Sequence, residues 1–330
     1  MAADAPHPAF EGYAAEAVPQ AAVGSPGKDG VLELGFAAGS DGTDLVLDHA
    51  TAPFHVPGTL DHDPHPDVTT VFVQSPTGVV TQGDRHEVGI DVGRDALAHV
   101  TTGSATKVQS MTHNYAAFDE TVTVDPGGHL DYVPEPTILG ADARYYRDLS
   151  VEVAAGATAV LADVVVPGRL AHGERFDFER YLSRIRVRGP DGLLFADAAH
   201  LAPDPATSAG PDGSFTDSDR SGDGETGDRS PNTTGDPDPT AAGVMAEFPV
   251  YGTAFVVAPG TDAAVTSDAV HDVVADAPAR AGATALPNDA GVAVRALGTG
   301  AEPVTETLRA AWDHARRELI DAPAPAGRKY

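Results

Sequence analysis

The sequence predicts an all-β fold, and three observations lead to this prediction. Most segments alternate apolar and polar residues with a period of two, which is typical of strands with one buried face. Gly and Pro recur at short spacing between these segments, where they favour turns. Only two segments have the spacing of an amphipathic helix. Length alone would suggest about two domains for 330 residues, but all-β architectures often exceed about 200 residues as one domain.

The predicted strands follow one another between residues 68 and 195 and resume after residue 250. Residues 68–74 are rich in β-branched side chains and end at a Ser-Pro-Thr-Gly turn. Residues 182–195 predict a hairpin around Pro190-Asp191-Gly192. Other strands are predicted, in chain order, at residues 87–93, 120–124, 150–153, 159–166, 252–258 and 291–298. The sequence contains no strict repeat of fixed period, so it does not predict a regular solenoid.

The clearest helix is predicted from Pro303 to about Ile320. Pro303 suits the first turn of a helix, and Pro323 lies just beyond the predicted end. A single apolar stripe follows from spacings of four, three and four residues between Leu308, Trp312, Ala315 and Leu319. Residues 265–275 predict a second, weaker helix. We therefore expect about two helices, one of them near the C-terminus.

Two segments lack any strand or helix pattern. Residues 1–27 are rich in Ala and Pro and predict a flexible N-terminal arm. Residues 204–243 predict a disordered acidic insertion, because nine acids and one large apolar residue, Phe215, lie within residues 204–240. Such a segment cannot bury enough apolar area to offset its ordering entropy. The remaining residues, 28–203 and 244–330, are expected to form a single β domain.

Composition excludes several classes of protein. A formal charge of −28 repels phosphate backbones and anionic membrane surfaces, so we expect neither nucleic acid nor membrane as a partner. The absence of Cys excludes disulfides, thiol nucleophiles and thiolate metal sites. No apolar run approaches the roughly 18 residues of a membrane span, and the N-terminal residues lack a signal-peptide pattern. We therefore expect a cytoplasmic protein.

The acidity itself has two interpretations. Low Lys content with abundant carboxylates is typical of proteins from a high-salt cytoplasm, since a Debye length of ~3 Å at molar salt leaves like charges with little repulsion. On this interpretation the source is halophilic. A protein that handles cations could have the same composition, so any metal site has to be argued from particular carboxylates.

The acidic segment 60–67 contains His62 and His65. Imidazole and carboxylate groups are suitable ligands for nickel or zinc, which makes these two His residues candidate metal ligands. The alternative is an acidic surface loop that contains His without binding metal. We favour this alternative, because structural metal sites need ligands held rigidly by more than one element.

Three polar clusters are more distinctive. Gly83-Asp84-Arg85 follows a predicted strand and a turn, and residues 101–107 combine small hydroxyl side chains with Lys107. Residues 168–174 combine a turn with Arg169 and Glu174. Turn chemistry alone could explain each cluster, so the information lies in their order along one chain.

In this order the clusters resemble the urease accessory protein family UreD, called UreH in some organisms, and in particular a haloarchaeal type of member. Residues 74–85 are similar to the family's Pro-x-Gly-Gly…Gly-Gly-Asp segment, with Thr77 or Val79 replacing one Gly and Gln82 another. The other similar segments are residues 101–108 (Thr-x-Gly-Ala-Thr-Lys), 130–139 (Leu-Glu-Tyr-Leu-Pro-x-x-Thr-Ile), 168–176 (Gly-Arg-x-x-x-Gly-Glu-x-Phe), 293–298, Trp312, Arg316 and 328–330. The resemblance covers about residues 28–202 and 244–330 and leaves out the arm and the acidic tract.

The resemblance implies a protein that is not an enzyme and has no tightly bound cofactor. Members of the family act as scaffolds that bind apo-urease and recruit UreF and the GTPase UreG. Nickel, bound only transiently, then moves through a polar internal passage into urease. The family fold implied for this chain is an elongated, layered β-sandwich or β-helix-like body with two helices.

A passage must bind the ion well enough to offset its dehydration, yet weakly enough to release it. Oxygen ligands meet this requirement, because they hold nickel less tightly than imidazole or thiolate. For each candidate the alternative is a structural ion pair or turn bond, and Arg169 with Glu174 is the most evident pair. The candidate passage residues are Asp84, Glu135, Asp142 and Glu174, with Ser104 and Thr106 as neutral lining and Arg169 and Lys107 as supporting cations.

Two predictions concern surfaces and rival functions. Arg316, Arg328 and Tyr330 are candidate contacts with partner proteins, because Arg and aromatic side chains often anchor interfaces. The rival function is a carbohydrate-active or carbohydrate-binding β protein. It predicts a pair of carboxylates in an open cleft.

Overall fold

Two β-sheets lie face to face in the computed structural model, and helices cover the outer face of the second sheet. The structure describes residues 5–17, 27–61, 63–75, 78–203, 238–240, 245 and 247–326. Within these residues the chain is mostly β, with helices in the minority. The predicted all-β, layered, β-helix-like fold is therefore confirmed.

Eighteen strands are present in the described residues. They are β1 (Asp29–Ala38), β2 (Thr43–Ala50), β3 (Thr59–Leu60), β4 (Val68–Val73), β5 (Val79–Val80), β6 (Arg85–Val92), β7 (Leu97–Thr102), β8 (Thr106–Val108), β9 (Ala116–Val124), β10 (His129–Tyr132), β11 (Thr137–Leu139), β12 (Arg144–Val153), β13 (Thr158–Val166), β14 (Arg180–Gly189), β15 (Gly192–Leu201), β16 (Val250–Val257), β17 (Arg280–Ala285) and β18 (Gly291–Gly298). The strands that alternation predicted all correspond to members of this set.

The first sheet has the order β15-β14-β12-β9-β6-β1-β2, and the path of the second is β17-β18-β16-β13-β10-β7-β4-β3. Between β4 and β14 the chain passes back and forth from the second sheet to the first. Successive strands of the same sheet therefore pair in parallel. The short strands β5, β8 and β11 pair with one another at the crossing between the sheets.

This winding is a β-solenoid, although the sequence shows no repeat of fixed period. Val68, Leu97, His129 and Thr158 stand side by side in the second sheet, at intervals of 29, 32 and 29 residues. Strand pairing fixes which residues lie side by side but leaves the turns free to differ in length. The unequal turns conceal the repeat from a search for a constant period.

The core lies between the two sheets, where strand alternation places every second side chain. On β6 the side chains of Val88, Ile90 and Val92 point inward, and all three are buried. The same phase holds on β9 for Val122 and Val124. Burial of such side chains is the main favourable contribution to folding of a sheet pair.

Three α-helices occur in the described residues: α1 (Glu11–Ala14), α2 (Ala263–Ala275) and α3 (Ala301–Ile320). The helices α2 and α3 confirm the two that the sequence predicts. The predicted stripe of α3 packs on the outer face of the second sheet through Leu308 and Trp312. Close approach requires Gly252 on β16, because a Cβ there would lie 2.4 Å from Val304 of the helix. No helix in the described residues has the length and apolar content needed to cross a membrane.

The N-terminal segment differs from the prediction of a flexible arm. Phe10 is fully buried against Tyr115, Tyr146 and Leu182 on the outer face of the first sheet. The side chain of Glu16 accepts hydrogen bonds from the backbone N–H of Asn114 and from Arg144. The loose-arm prediction is therefore wrong for residues 5–17, because an aromatic anchor and an ion pair offset the entropy of ordering them. Residues 1–4 and 18–26 lie outside the described residues, as do 204–237 and 241–244 of the predicted insertion.

Candidate functional site

Several sequence segments that carry the resemblance stack at one corner of the solenoid. Residues 74–75 with 78, 102–106 and 133–136 lie between the second sheet and β5, β8 and β11, respectively, and we call them the hydroxyl corner. The Lys107 N–H donates to the Gly78 carbonyl at 2.6 Å, and the Thr106 N–H donates to the Pro136 carbonyl at 3.0 Å. Gly78 has φ +59°, and a Cβ there would lie 2.8 Å from the carbonyl oxygen of Ala105. Close stacking of the turns therefore requires Gly at this position.

A first cavity of about 60 Å³ lies between the sheets beneath the hydroxyl corner. Its lining includes the exposed Ser104 and the hydroxyl-bearing Thr106 at the corner. It also includes His86 from the first sheet and Tyr132 from the second. Since a water needs roughly 10–15 Å³ of such space, the cavity has room for a few waters or a partly hydrated ion.

His86 is the buried titratable group of the first cavity. The side chain projects inward from β6, is only 2% exposed and lies between the rings of Phe54 and Phe118. Neither ring nitrogen has a hydrogen-bond partner among the described residues. Burial lowers the pKa of His86 to about 4, with the nearby Lys28 also lowering the pKa and Asp84 opposing this. The imidazole is therefore neutral near pH 7, the form that can donate a lone pair to a metal ion.

A second cavity of about 40 Å³ also lies between the sheets. Tyr132 lines both cavities. The other polar side chains around the second cavity include Arg147, Asp163 and Ser183. The two cavities therefore share one lining tyrosine, and their combined lining extends from the exposed hydroxyl corner to the region between β12 and β16.

A network of polar side chains, the polar belt, surrounds Tyr132, and all of its members are buried except the half-buried Asp163. Its members are Glu120, Tyr132, Arg147, Asp163 and Tyr181. The Tyr132 hydroxyl and the Arg147 guanidinium both donate to the Glu120 carboxylate. Arg147 lies 3.3 Å from Asp163, which accepts a hydrogen bond of 2.9 Å from the Tyr181 hydroxyl. Burial alone would lower the pKa of Arg147, but Glu120 and Asp163 raise it well above its usual value. The belt thus keeps a cation and its counter-charges in the interior as a hydrogen-bonded set.

A second buried network fastens α3 to the second sheet. Asp131 is completely buried and accepts hydrogen bonds from Arg316 and from the indole N–H of Trp312, the latter at 2.7 Å. His129 lies 3.2 Å from the same carboxylate. Arg316 also donates to Asp63, in the loop before β4. Arg316 is fully buried, so its prediction as a contact with partner proteins is wrong: its helix position, four residues after Trp312, directs it into the sheet.

Of the predicted passage residues, Ser104 and Thr106 line the first cavity. Asp84 is buried in the turn before β6, where both carboxylate oxygens accept hydrogen bonds. One oxygen accepts from the backbone N–H groups of Gly27 and Lys28, and the other accepts from the backbone and side chain of Thr81. These four bonds fasten the chain entering β1 to the turn entering β6. A role of Asp84 as a nickel ligand stays a prediction.

Replacing Asp84 by Ala is expected to lower the free energy of unfolding by about 1–3 kcal/mol, because three partly buried backbone N–H groups would lose their acceptor. Denaturant unfolding of the full chain measures this value. The matched control is Asp91→Ala, which removes an exposed carboxylate from β6, the strand that follows Asp84, and should change stability by less than about 0.5 kcal/mol. Equal effects of the two substitutions would contradict a structural role for Asp84.

The other predicted acids lie outside the lining of both cavities. Glu135 belongs to the hydroxyl corner, and its N–H donates to Thr102 at 2.9 Å. Asp142 occupies a turn with φ +57°. Glu174 forms a bidentate pair with the largely exposed Arg169, and hydrogen bonds from Arg169 lower the pKa of Glu174. Lys107 is exposed.

The remaining predicted sites are the loop His residues and the C-terminal tail. His65 is held within its own loop, where its ring nitrogen accepts from the Asp67 N–H at 3.1 Å. Among the described residues, no group of three or more His or carboxylate side chains is arranged to hold a metal ion. His62, Arg328 and Tyr330 lie outside the described residues.

Sequence reasoning missed three buried polar side chains that lie between the sheets, although strand alternation contained the signal. Glu120 is in phase with Val122 and Val124, and His86 is in phase with Val88 and Ile90. Arg147 likewise shares the inward phase of Leu149 on β12. A charged or polar residue in phase with buried apolar neighbours predicts a buried polar group.

The arrangement offers a cation hydroxyls, one neutral imidazole and water-sized spaces, rather than a closed set of anionic ligands. Such a lining gives weak, exchangeable contacts, since hydroxyl oxygens are poor ligands for a borderline metal and one imidazole is a moderate one. Chemically, the interior could accept an ion without trapping it. Each acid of the polar belt and of the α3 network has an Arg beside it.

Comparison with known proteins assigns the family. Residues 28–215 and 226–329 match the family described as UreD urease accessory protein. The match enters the acidic tract from both sides, so the expectation that the whole tract lies outside the family is wrong. The urease accessory protein UreD of Haloarcula marismortui is 65% identical over the full length of both chains. Its namesake from Natronomonas pharaonis is 42% identical over 98% of each chain, and one from Streptomyces griseus is 32% identical over 93% of this chain and 96% of its own. The chain therefore belongs to the UreD family of urease accessory proteins, in its haloarchaeal form, and has a role in urease maturation.

Proposed function

We propose that this chain is a non-catalytic scaffold in urease maturation, which binds apo-urease together with UreF and UreG. Nickel, its cargo, passes through the two cavities between the sheets on the way to urease. The protein retains no cofactor in this role, because the ion must leave again.

The observation that carries this proposal is the pair of cavities that share Tyr132. Their lining extends from the exposed Ser104 into the space between the sheets. Conduction through a protein interior requires binding that offsets dehydration but still permits release. Hydroxyls at the corner and a neutral His86 inside supply contacts of that moderate strength.

The polar belt supports the same role. An unpaired buried carboxylate would hold a bare cation tightly. Burial of such an unpaired charge would also make the fold less stable. Here Glu120 and Asp163 are compensated by Arg147, so the interior is polar without a strong net charge at this point. The rival carbohydrate function predicted paired carboxylates in an open cleft, whereas Glu120 is only 3% exposed and pairs with Arg147.

The test blocks the first cavity and measures nickel in urease. Thr106→Phe places a ring at the lining, and Lys107→Phe is the matched control because the neighbouring side chain is exposed. Each variant complements a host strain that lacks this gene but retains the urease subunits and the other accessory proteins. Nickel per urease is measured by mass spectrometry, and pull-down measures binding to apo-urease, UreF and UreG.

We expect nickel-free urease in the strain without the gene, normal nickel with Lys107→Phe and a severalfold loss with Thr106→Phe, while all complexes still form. Normal nickel in the deletion strain would refute the role in nickel insertion. Normal nickel loading of urease with Thr106→Phe would refute the passage but not the role in nickel insertion. Failure of a pull-down with the wild-type chain would refute the corresponding partner.

A further inference from the structure

His86 is a buried polar side chain between the sheets, and the described residues offer it no hydrogen-bond partner. An unsatisfied buried polar group costs about 1–3 kcal/mol, and native proteins leave few of them. This lack of a partner holds for both ring nitrogens, although His86 is only 2% exposed. His129 shows the contrast, since its two nitrogens contact Thr158 and Asp131 at 2.8 and 3.2 Å. His86 thus lacks the hydrogen bonds that hold His129, another buried imidazole, in place.

The ring of His86 is held firmly in one place. The rings of Phe54 and Phe118 contact it edge to face, with centroid distances of 5.1 and 4.5 Å. On the neighbouring strand Gly30 allows this close packing, since a Cβ there would lie 2.9 Å from the imidazole and 2.7 Å from Pro53. A ring clamped in this way loses little further freedom when it binds a ligand.

The groups around His86 determine which ligand suits it. Both oxygens of the nearby Asp84 already accept backbone hydrogen bonds, so that carboxylate is committed to the turn. The same cavity is also lined by Ser75, Thr102, Ser104 and Thr106, all of which carry hydroxyl groups. One nitrogen ligand together with neutral oxygens favours a borderline divalent metal that keeps part of its water shell. A small organic anion would find no cationic side chain in this lining.

We propose that His86 is a transient nickel ligand inside the first cavity, at which the ion exchanges part of its water shell for one imidazole nitrogen. This inference rests on the proposed nickel passage and assigns it a specific binding step. A single protein nitrogen gives a site that fills and empties readily. The hydroxyl corner then lies on the surface side of the site and Tyr132 lies toward the second cavity.

The proposal predicts that His86 makes the protein less stable than an apolar residue would at this position. In His86→Leu an apolar side chain replaces an unpartnered polar one among Phe54, Phe118 and Val88, so the variant should unfold at the same temperature as the wild type or higher. The matched control is His49→Gln, which removes an exposed imidazole from β2. This control shows the effect on nickel binding of losing an exposed imidazole, one of the 13 His residues of the chain.

The first measurement locates the ion directly. Crystals of the full chain and of each variant are soaked in nickel chloride, and anomalous diffraction is recorded at the nickel absorption edge. We expect a peak within bonding distance of a His86 nitrogen in the wild type and in His49→Gln, and none there in His86→Leu. Nickel found only at surface imidazoles would overturn the proposal, and so would a cavity occupied by water alone.

The second measurement uses the complete complex of apo-urease with its accessory proteins and follows the initial rate of nickel incorporation into urease. We expect His86→Leu to be slower by about tenfold or more, the lower end of the cost of disturbing a metal site, with complex formation unchanged. If the wild-type chain accelerates incorporation and His86→Leu matches it, the His86 inference fails and the passage stands. If the wild-type chain has no effect, the proposed function itself fails.

Discussion

Replacing Arg316 by Ala is expected to lower the free energy of unfolding by about 3–5 kcal/mol, because removing one member of a buried ion pair leaves its partner uncompensated. Two carboxylates, Asp63 and Asp131, would lose their shared cation. The substitution would also release the loop before β4 from α3. Denaturant unfolding followed by circular dichroism measures the loss.

Arg317 supplies the matched control on the same helix. Its guanidinium pairs with Asp313 one turn earlier at 2.8 Å, and both side chains are substantially exposed. Arg317→Ala should therefore cost less than about 1 kcal/mol. A similar loss in both variants would show that helix propensity, and not the buried network, accounts for the effect of Arg316.

The same network has a pH signature. Burial alone would raise the pKa of Asp131, but His129 and Arg316 lower it to about 2. Since the unfolded carboxyl titrates near 3.8, this contribution to stability is present above that pH and is lost as the pH falls toward about 2. In Arg316→Ala the pKa of Asp131 should rise, so the loss on acidification should begin at higher pH.

Replacing Arg147 by Met is the second large expected effect, again about 3–5 kcal/mol of lost stability. Glu120 would keep only the Tyr132 hydroxyl as a partner, and Asp163 only the Tyr181 hydroxyl. The loss comes from an uncompensated buried carboxylate rather than from the volume of the side chain, since Met fills similar space.

The double variant Glu120→Leu with Arg147→Met isolates this cause. Replacement of a buried ion pair by apolar residues is often neutral or stabilising, so the double variant should regain most of the stability lost in Arg147→Met. The coupling is obtained from a double-mutant cycle in denaturant. Additive losses would contradict the view that Arg147 serves mainly to compensate Glu120.

Much of the fold was predictable because the relevant signals are local. Alternation located β4, β6, β9 and β13, and a single stripe located α3 near residue 303. The solenoid was not predictable from a constant period, since its intervals of 29 and 32 residues differ. The anchor of the N-terminal segment was not predicted, because Phe10 is one apolar residue in a segment without periodicity.

The candidate site was predictable only in part. Ser104 and Thr106 stood out as hydroxyls in a distinctive turn, and both line the first cavity. The carboxylates chosen with them lie elsewhere, because Asp84 and Glu174 find partners in their own turns. His86 and Glu120 escaped attention because each is a single polar residue in an otherwise ordinary strand.

The sequence by itself determined the strands, the terminal helix and the family, since alternation, helical spacing and motif order are all properties of neighbouring residues. Only the tertiary structure decided which charges are buried and which partners compensate them. Arg316 meets Asp63 across 253 positions of sequence, and Arg147 meets Glu120 through the register of two adjacent strands. Such pairings form when solenoid turns of unequal length are brought into register by backbone hydrogen bonds. That register is a property of the assembled sheets and not of neighbouring residues.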